Sequence, residues 1–295
     1  MNRKPVIGPW GGGNNFVKAA DEYFRLAGHQ VTYHLTDDVD VILAVDPRYD
    51  ELGVSSREMI NFKRDHRNSR LIYRVNECDA RKGDKDVIDP MIQQLISEAD
   101  HTVFVSYWLK DYHLKKCHKW KDISVIYNGV GSDFKRSTRV SDGVTRIVTH
   151  HWSDNKMKGH DVYQFIDAFV AGKKDFAFTY IGRSHGPLPN STIVKPLHGK
   201  ELADKLAEND VYISGSRFDP GPNHIFESIA CGLPTYAHRD GGGAAELVDR
   251  HHVFDGLYDF QDLALLLGEK KFKNNDDSFI FDWAHCIERY RKIIG

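Results

Sequence analysis

The sequence has no run of about 18 apolar residues, the length a bilayer-spanning helix requires, and no internal repeat or low-complexity tract. Its opening stretch, MNRKPVIGPWGGG, carries no apolar core of the kind found in a secretory leader. A soluble, cytoplasmic protein is the expectation, with membrane association at most peripheral. Cysteine is scarce: Cys78, Cys117, Cys231 and Cys286 are scattered and form no CxxC pair. That argues against a disulfide framework and against a zinc site, and it suits a reducing compartment. Histidine is abundant, 16 in all, but no His-x-x-x-His spacing is backed by carboxylates, so no metal is expected. Net charge is only −2, which leaves no electrostatic case for a nucleic-acid partner.

What is present is a composition able to build real cores: 41% apolar and 28% charged over 295 residues, enough for one large domain or two medium ones. Short apolar runs alternate with amphipathic stretches. PVIG (5–8), QVTYHL (30–35), DVILAV (40–45), LIYRV (71–75), TVFVS (102–106) and ISVIY (123–127) read as strands. Helical patterns lie between them, near 14–27, 55–67, 87–99 and 107–118. The polar segment SDFKRSTRVSDG (132–143) reads as a linker, after which TRIVTH (145–150), FAFTYIG (176–182), DVYISG (210–215) and PTYAH (234–238) continue the series. The helix KGHDVYQFIDAFVAG places Val162, Phe165, Ile166 and Phe169 at i, i+3, i+4 and i+7, one buried stripe. Strands alternating with helices imply parallel β-α-β winding. The expected fold is α/β, with two Rossmann-like domains at 1–140 and 141–280. A terminal helix in 281–295 is placed to pack back on the first domain. Ligands in such sheets bind beyond the carboxyl ends of the strands, here also between the halves.

RFDPGPNHIFESIACGLP (217–234) carries the most chemistry. A strand ends just before it and a helix starts near Asn223. Helix starts leave N–H groups unpaired and carry the positive end of the macrodipole, so an anion is favoured there. Pro220, Gly221 and Pro222 fix the loop, and Gly221 allows close approach of a ligand. Glu227 lies one turn into the helix, where a carboxylate can accept paired hydroxyls. Asp219 precedes the helix. The plain structural reading makes Asp219 a turn former and Glu227 a partner of the helix dipole.

The whole run VYISGSRFDPGPNHIFESIACGLPTYAHRDGGGAAEL (211–247) resembles the donor-binding signature of the family 4 glycosyltransferases: a carboxylate, seven residues, a Glu, a small-residue ACGLP segment and a Gly-Gly-x-x-Glu. IYNGVGSDF (126–134) resembles the segment that ends their N-terminal domains, and HHWSDNKMKGHDVYQFIDAF (150–169) the start of their C-terminal domains. YRVNECDARKG (73–83) with ADHTVFVSYWL (99–109) is similar to an N-terminal pattern in one subset. The resemblance implies the GT-B architecture, two parallel sheets facing across a cleft, with an acceptor-side first domain and a nucleotide-sugar-binding second one. It implies transfer of a sugar from a nucleoside diphosphate to a glycan, lipid-linked glycan or other hydroxyl acceptor, with retention and without a metal or other cofactor.

Residue by residue, the resemblance implies that Asp219 contacts the donor sugar, Glu227 holds the ribose hydroxyls and Lys158 reaches the diphosphate. Gly242, Gly243 and Glu246 form the closing element. Two departures stand out. Asp219 is one methylene shorter than the usual Glu, and Pro222 stands where a Gly normally offers its N–H. A proline has none to give, so the phosphate role moves to the amides of Asn223 and His224.

Other constellations are less specific. GGGNNF (11–16) is a Gly-rich turn before a helix, with Asp37 or Asp38 a little over 20 residues later. It imitates a dinucleotide fingerprint, but Phe16 occupies the third Gly position. It also reads as a tight turn, or as Gly12 and Gly13 lining the cleft opposite the donor phosphates. His150 and His151 end a strand; one, with His151 the candidate, is placed to hydrogen-bond a phosphate, and the other reads as structural. Arg183 and Lys195 read equally as nucleotide contacts or as surface charges, and the backbone around Leu197 (196–198) can meet the base. Arg74 and Asn76 are candidate sugar or acceptor contacts. DVD (38–40) imitates a metal-binding Asp-x-Asp but runs straight into a buried strand. LKKCHKWK (114–121) reads as a solvated helix face or as a patch for a membrane surface or anionic acceptor. Two further functions stay open: a non-catalytic nucleotide-sugar-binding protein, and an NAD(P)-dependent oxidoreductase.

Overall fold

The computed structural model of the chain describes residues 1–6, 12–48, 53–83, 87–137, 139–256 and 260–295. Two compact units are present, Met1–Gly129 together with Trp283–Gly295, and Val130–Asp282. The first unit therefore ends at Gly129 and not at 140. The polar segment 132–143 belongs to the second unit, where its charges are used: Arg139 pairs with Asp210 at 2.8 Å and the Ser137 N–H donates to the Cys231 carbonyl.

In the first unit the order is α1 (Gly12–Leu26), β1 (Val41–Ala44), α2 (Ser56–Asp65), β2 (Arg70–Val75), α3 (Asp89–Glu98), β3 (His101–Phe104), α4 (Tyr107–Leu114) and β4 (Asp122–Val125). The four strands form a parallel sheet in the order β1-β2-β3-β4. Ser55 closes a capping box with Glu58 at the start of α2, satisfying two otherwise unpaired N–H groups. The C-terminal helix Trp283–Ile294 lays Cys286, Ile287 and Tyr290 into the same core as Phe16, Val17, Ala20 and Phe24 of α1.

Two expected strands of this half differ. Residues 30–35 form no strand, because groups from α1 and from the chain's first residue take their carbonyls. Arg25 Nη2 donates to Val31 O at 2.9 Å and the Met1 ammonium to Thr32 O at 2.8 Å. Of the strand expected at 5–8, Pro5 and Val6 are not in a strand, and Val6 is bound on both its N–H and C=O by the Asn14 side chain. Ile7 and Gly8, like Gly11 of the Gly-rich turn, lie outside the described residues.

The second unit runs β5 (Thr145–His151), α5 (His160–Val170), β6 (Phe176–Gly182), β7 (Thr192–Val194), α6 (Gly199–Ala207), β8 (Val211–Ser214), α7 (Asn223–Ala230), β9 (Thr235–His238), α8 (Gly243–Glu246), β10 (Val253–Phe254) and α9 (Gln261–Glu269). Its sheet is parallel, in the order β10-β9-β8-β5-β6-β7. Chain order reverses between β5 and β8, and such a switch point is where open α/β sheets place a ligand crevice, at the carboxyl ends of the strands. The buried face of α5 is Val162, Tyr163, Ile166 and Val170. Phe165 and Phe169, expected in the stripe, are only partly buried at its rim. The four cysteines are free and buried, and among the described residues no helix is long and apolar enough to cross a membrane.

Candidate functional site

The crevice of the second unit collects most of the candidate residues. Glycine pairs bring its loops together. Gly159, at φ +81°, approaches Gly215 so closely that a Cβ on Gly159 would lie 1.9 Å from the Gly215 carbonyl oxygen. Only glycine fits both the left-handed backbone and the gap. This approach carries the turn Lys156–Lys158 against the loop after β8, and the Arg217 N–H clinches it by donating to the Met157 carbonyl at 2.8 Å.

Lys158 Nζ consequently donates to Asp219 Oδ2 at 2.6 Å. The two candidate catalytic side chains are one partly buried ion pair. Asp219 is further held by its backbone: its N–H donates to Gly241 O, and its carbonyl accepts from the Gly243 N–H at 2.8 Å. Gly243 is required there, since a Cβ would come 2.9 Å from Pro220 O. The preceding Phe218 sits at φ +51°, a conformation that costs a non-glycine residue on the order of 1–2 kcal/mol.

Helix α7 begins at Asn223, its first position following Pro222. Glu227, half-buried one turn in, accepts from or shares a proton with His150 Nε2 at 2.8 Å. His150 is itself fixed by Tyr212, whose hydroxyl accepts from the His150 N–H at 3.1 Å. His224 points inward, with Nε2 on Ser214 Oγ at 2.8 Å. Burial pushes its imidazole pKa down to about 3, so its ring is neutral near pH 7. Burial likewise lowers the pKa of His151 well below the ordinary value. His151 lies within the fold at 3% exposure, its Nε2 on the Tyr163 hydroxyl. Neutral and enclosed, His151 is no source of positive charge for a phosphate.

Arg183 follows β6, one strand away from β5. It is exposed, its guanidinium 4.3 Å above the Trp152 ring, and its N–H donates to His151 O. Leu197 lies in the connection from the edge strand β7 to α6, half-buried, and Lys195 is exposed. The structure does not draw these two into the Lys158–Asp219 cluster. Gly12, Gly13, Arg74 and Asn76 group separately, within the first unit: a Cβ on Gly13 would lie 3.2 Å from the Asn76 amide. Phe16, where a dinucleotide fingerprint needs its third glycine, is fully buried in the core.

Sequence reasoning missed Tyr163 and Tyr212. Tyr163 is the hub of the site: its hydroxyl accepts from the Gly215 N–H at 2.9 Å and meets Thr149 and His151. Tyr163 stands beside Val162 at the edge of the apolar stripe of the amphipathic helix HDVYQFIDAFV, which was the available signal.

No family model matches the sequence, and no curated protein matches it. Solved structures do. Sucrose-phosphate synthase from Thermosynechococcus elongatus superposes with a TM-score of 0.70 at 13% identity, over 96% of this chain and 92% of that one. The Anabaena protein HepE in complex with UDP and glucose gives 0.68 at 13% identity, over 97% and 83%. A glycosyltransferase from Rickettsia africae gives 0.63 at 16% identity, over 100% and 83%. At such identities the likeness is one of fold, and with its two parallel α/β units that fold is the GT-B type of these glycosyltransferases.

Proposed function

We propose that the protein is a glycosyltransferase that moves a sugar from a nucleoside diphosphate to a hydroxyl acceptor, with retention of configuration and without a metal ion. The observation that carries this reading is the pairing of Lys158 with Asp219 and of His150 with Glu227 around the start of α7. A cation, the positive end of helix α7 and two carboxylates converge at the switch point of the sheet, where a diphosphate, a sugar and a ribose can each be met. HepE, of like fold, is solved with UDP and glucose and with UDP-glucose, which makes uridine the first base to test.

In this reading the bond between the anomeric carbon and the diphosphate oxygen breaks, and the acceptor oxygen bonds to the same face. The acceptor proton passes to the departing phosphate. Negative charge grows on the diphosphate as the bond breaks, so Lys158 and the Asn223 and His224 amides act most strongly in the transition state. Asp219 orients sugar hydroxyls and Glu227 grips the ribose. Arg183, exposed and stacked on Trp152, adds charge at the crevice mouth.

The test is a thermal-shift panel of UDP, GDP, ADP and their sugars, followed by donor-hydrolysis and sugar-transfer assays with and without EDTA. A nucleoside diphosphate should raise Tm, and turnover should survive EDTA because Lys158 and α7 supply the positive field. A response to nicotinamide dinucleotides alone would replace this reading with an oxidoreductase. Donor binding without hydrolysis or transfer would leave a binding protein.

A further inference from the structure

Arg74, at the carboxyl end of β2, is enclosed at 1% exposure. Its Nη2 donates to Asn128 Oδ1 at 2.8 Å, and its guanidinium lies 4.2 Å over the Phe16 ring. The Asn76 amide, turned with its oxygen toward the arginine, accepts from Nη1 at 3.2 Å and donates to Val45 O at 3.1 Å. Among the described residues Nε has no acceptor. Among the described residues no carboxylate pairs with this cation, and burial lowers its pKa from the ordinary value. An enclosed guanidinium without a counter-charge costs several kcal/mol.

The start of α1 adds charge of the same sign. Phe16, under the guanidinium, is in the first turns of this 15-residue helix. The first-turn N–H groups have no partner within the helix and mark its positive end. Asn14 does not cap them; its side chain is spent on Val6. Two positive features therefore face one another across Asn76, and among the described residues neither has an anion. Gly12, Gly13 and Asn76 are half-buried, so the cluster is reachable from solvent.

We propose that the first unit binds an oxyanion, a phosphate or carboxylate group carried by the acceptor, among Arg74, Asn76 and the first turn of α1. That the anion belongs to an acceptor rests on the glycosyl-transfer reading; the anion site itself does not. Gly12 and Gly13 carry no side chains at the helix start, and Asn76, beside Gly13, links it to Arg74. The acceptor class is then an anionic one, a phosphorylated or uronic-acid-containing hydroxyl compound, and not a neutral sugar.

The experiment titrates the full chain, saturated with UDP so that the second unit's site is filled, with sodium phosphate and separately with sodium acetate at constant ionic strength. Thermal shift and calorimetry are the readouts. The expected result is a saturable rise in Tm with one anion or both, the stronger one naming a phosphate or a carboxylate. Asn76→Asp places a carboxylate beside Arg74. It should weaken the anion response at least tenfold, raise Tm in the absence of anion and leave UDP binding unchanged. Arg74→Gln should also abolish the response, and if that variant fails to fold, Asn76→Asp carries the test. Absence of any saturable response in the wild type, or a response that Asn76→Asp leaves intact, overturns the proposal. If UDP does not bind but phosphate binds in an Asn76→Asp-sensitive way, the transferase reading fails and the anion site stands.

Discussion

Lys158 and Asp219 share a 2.6 Å ion pair, so neither can be substituted without altering the other. Removing the lysine leaves a largely enclosed carboxylate facing the place where a diphosphate would sit. Lys158→Ala should therefore lower kcat by the equivalent of about 2–4 kcal/mol, with a smaller loss of donor affinity. Asp219→Asn should relieve part of that defect in the double variant, which should recover about 1–3 kcal/mol relative to the sum of the single changes. Steady-state kinetics on all four proteins decide it; additive losses would mean the two side chains act independently. Glu227→Gln keeps the size of the group but removes charge-assisted bonds. Donor KM should rise by the equivalent of about 1.5–3 kcal/mol with kcat changed far less, and unchanged donor affinity would return Glu227 to a helix-dipole role. His224 supplies a separate handle. Its folded pKa of about 3 lies below the unfolded value of 6.5, so the native state binds fewer protons. Its contribution is complete above pH 6.5 and is lost as pH falls toward 3, at a slope of about 1.4 kcal/mol per pH unit. His224→Gln, tracked by urea unfolding between pH 7 and pH 4.5, should flatten that slope; an unchanged slope would assign the acid lability elsewhere.

At the scale of elements, the close contact between the turn before α5 and the loop after β8 decides whether the site exists. Gly159→Ala would force a Cβ to within 1.9 Å of Gly215 O at a positive φ. A loss of about 2–4 kcal/mol in unfolding free energy is expected, together with weaker donor binding as Lys158 is displaced. A change under about 0.5 kcal/mol would show that the loops part freely. The strands flanking this contact were legible: β6 spans 176–182 as the apolar run indicated, and α7 starts at Asn223 after the Pro-Gly-Pro loop. Other elements were not. The three-residue β7 and two-residue β10 are too short to show a period. Residues 30–35 alternate like a strand, yet Tyr33 reaches Asp21 on α1 and the neighbouring carbonyls are taken, a competition that only tertiary contacts reveal. On α5 the apolar pattern favoured Phe165 and Phe169, whereas Tyr163 turns inward because its hydroxyl has the Gly215 N–H to satisfy. Lys158, Asp219 and Glu227 could be marked in the sequence, but their pairing with one another and with His150 could not, since 61 and 77 residues separate the partners.

For the molecule as a whole, the sequence pattern gave two wound halves, but a polar stretch looks like a linker even when its arginines bind inside a domain, as Arg139 does with Asp210. The last residues illustrate the same point in reverse. Trp283–Gly295 follows the second unit in sequence and belongs to the first in space. Phe16 meets Tyr290 at 4.9 Å between ring centroids, Arg70 Nη1 donates to Ile293 O and Ile294 O, and Tyr23 bonds Glu288. Deleting 283–295 removes Cys286, Ile287 and Tyr290 from that core and uncovers Phe16, Val17, Ala20 and Phe24. At about 1.5–3 kcal/mol for each large buried side chain, the loss is on the order of a whole domain's net stability. The second unit loses none of these contacts, and its closing bond from Val130 N–H to Phe281 O is retained. The truncated chain should therefore show a calorimetric transition for one folded unit only, keep its affinity for the nucleoside diphosphate and lose sugar transfer. Retention of two transitions would mean that the first unit stands without the terminal helix. Loss of nucleotide binding, with the second unit still folded, would place part of the donor site on the first unit.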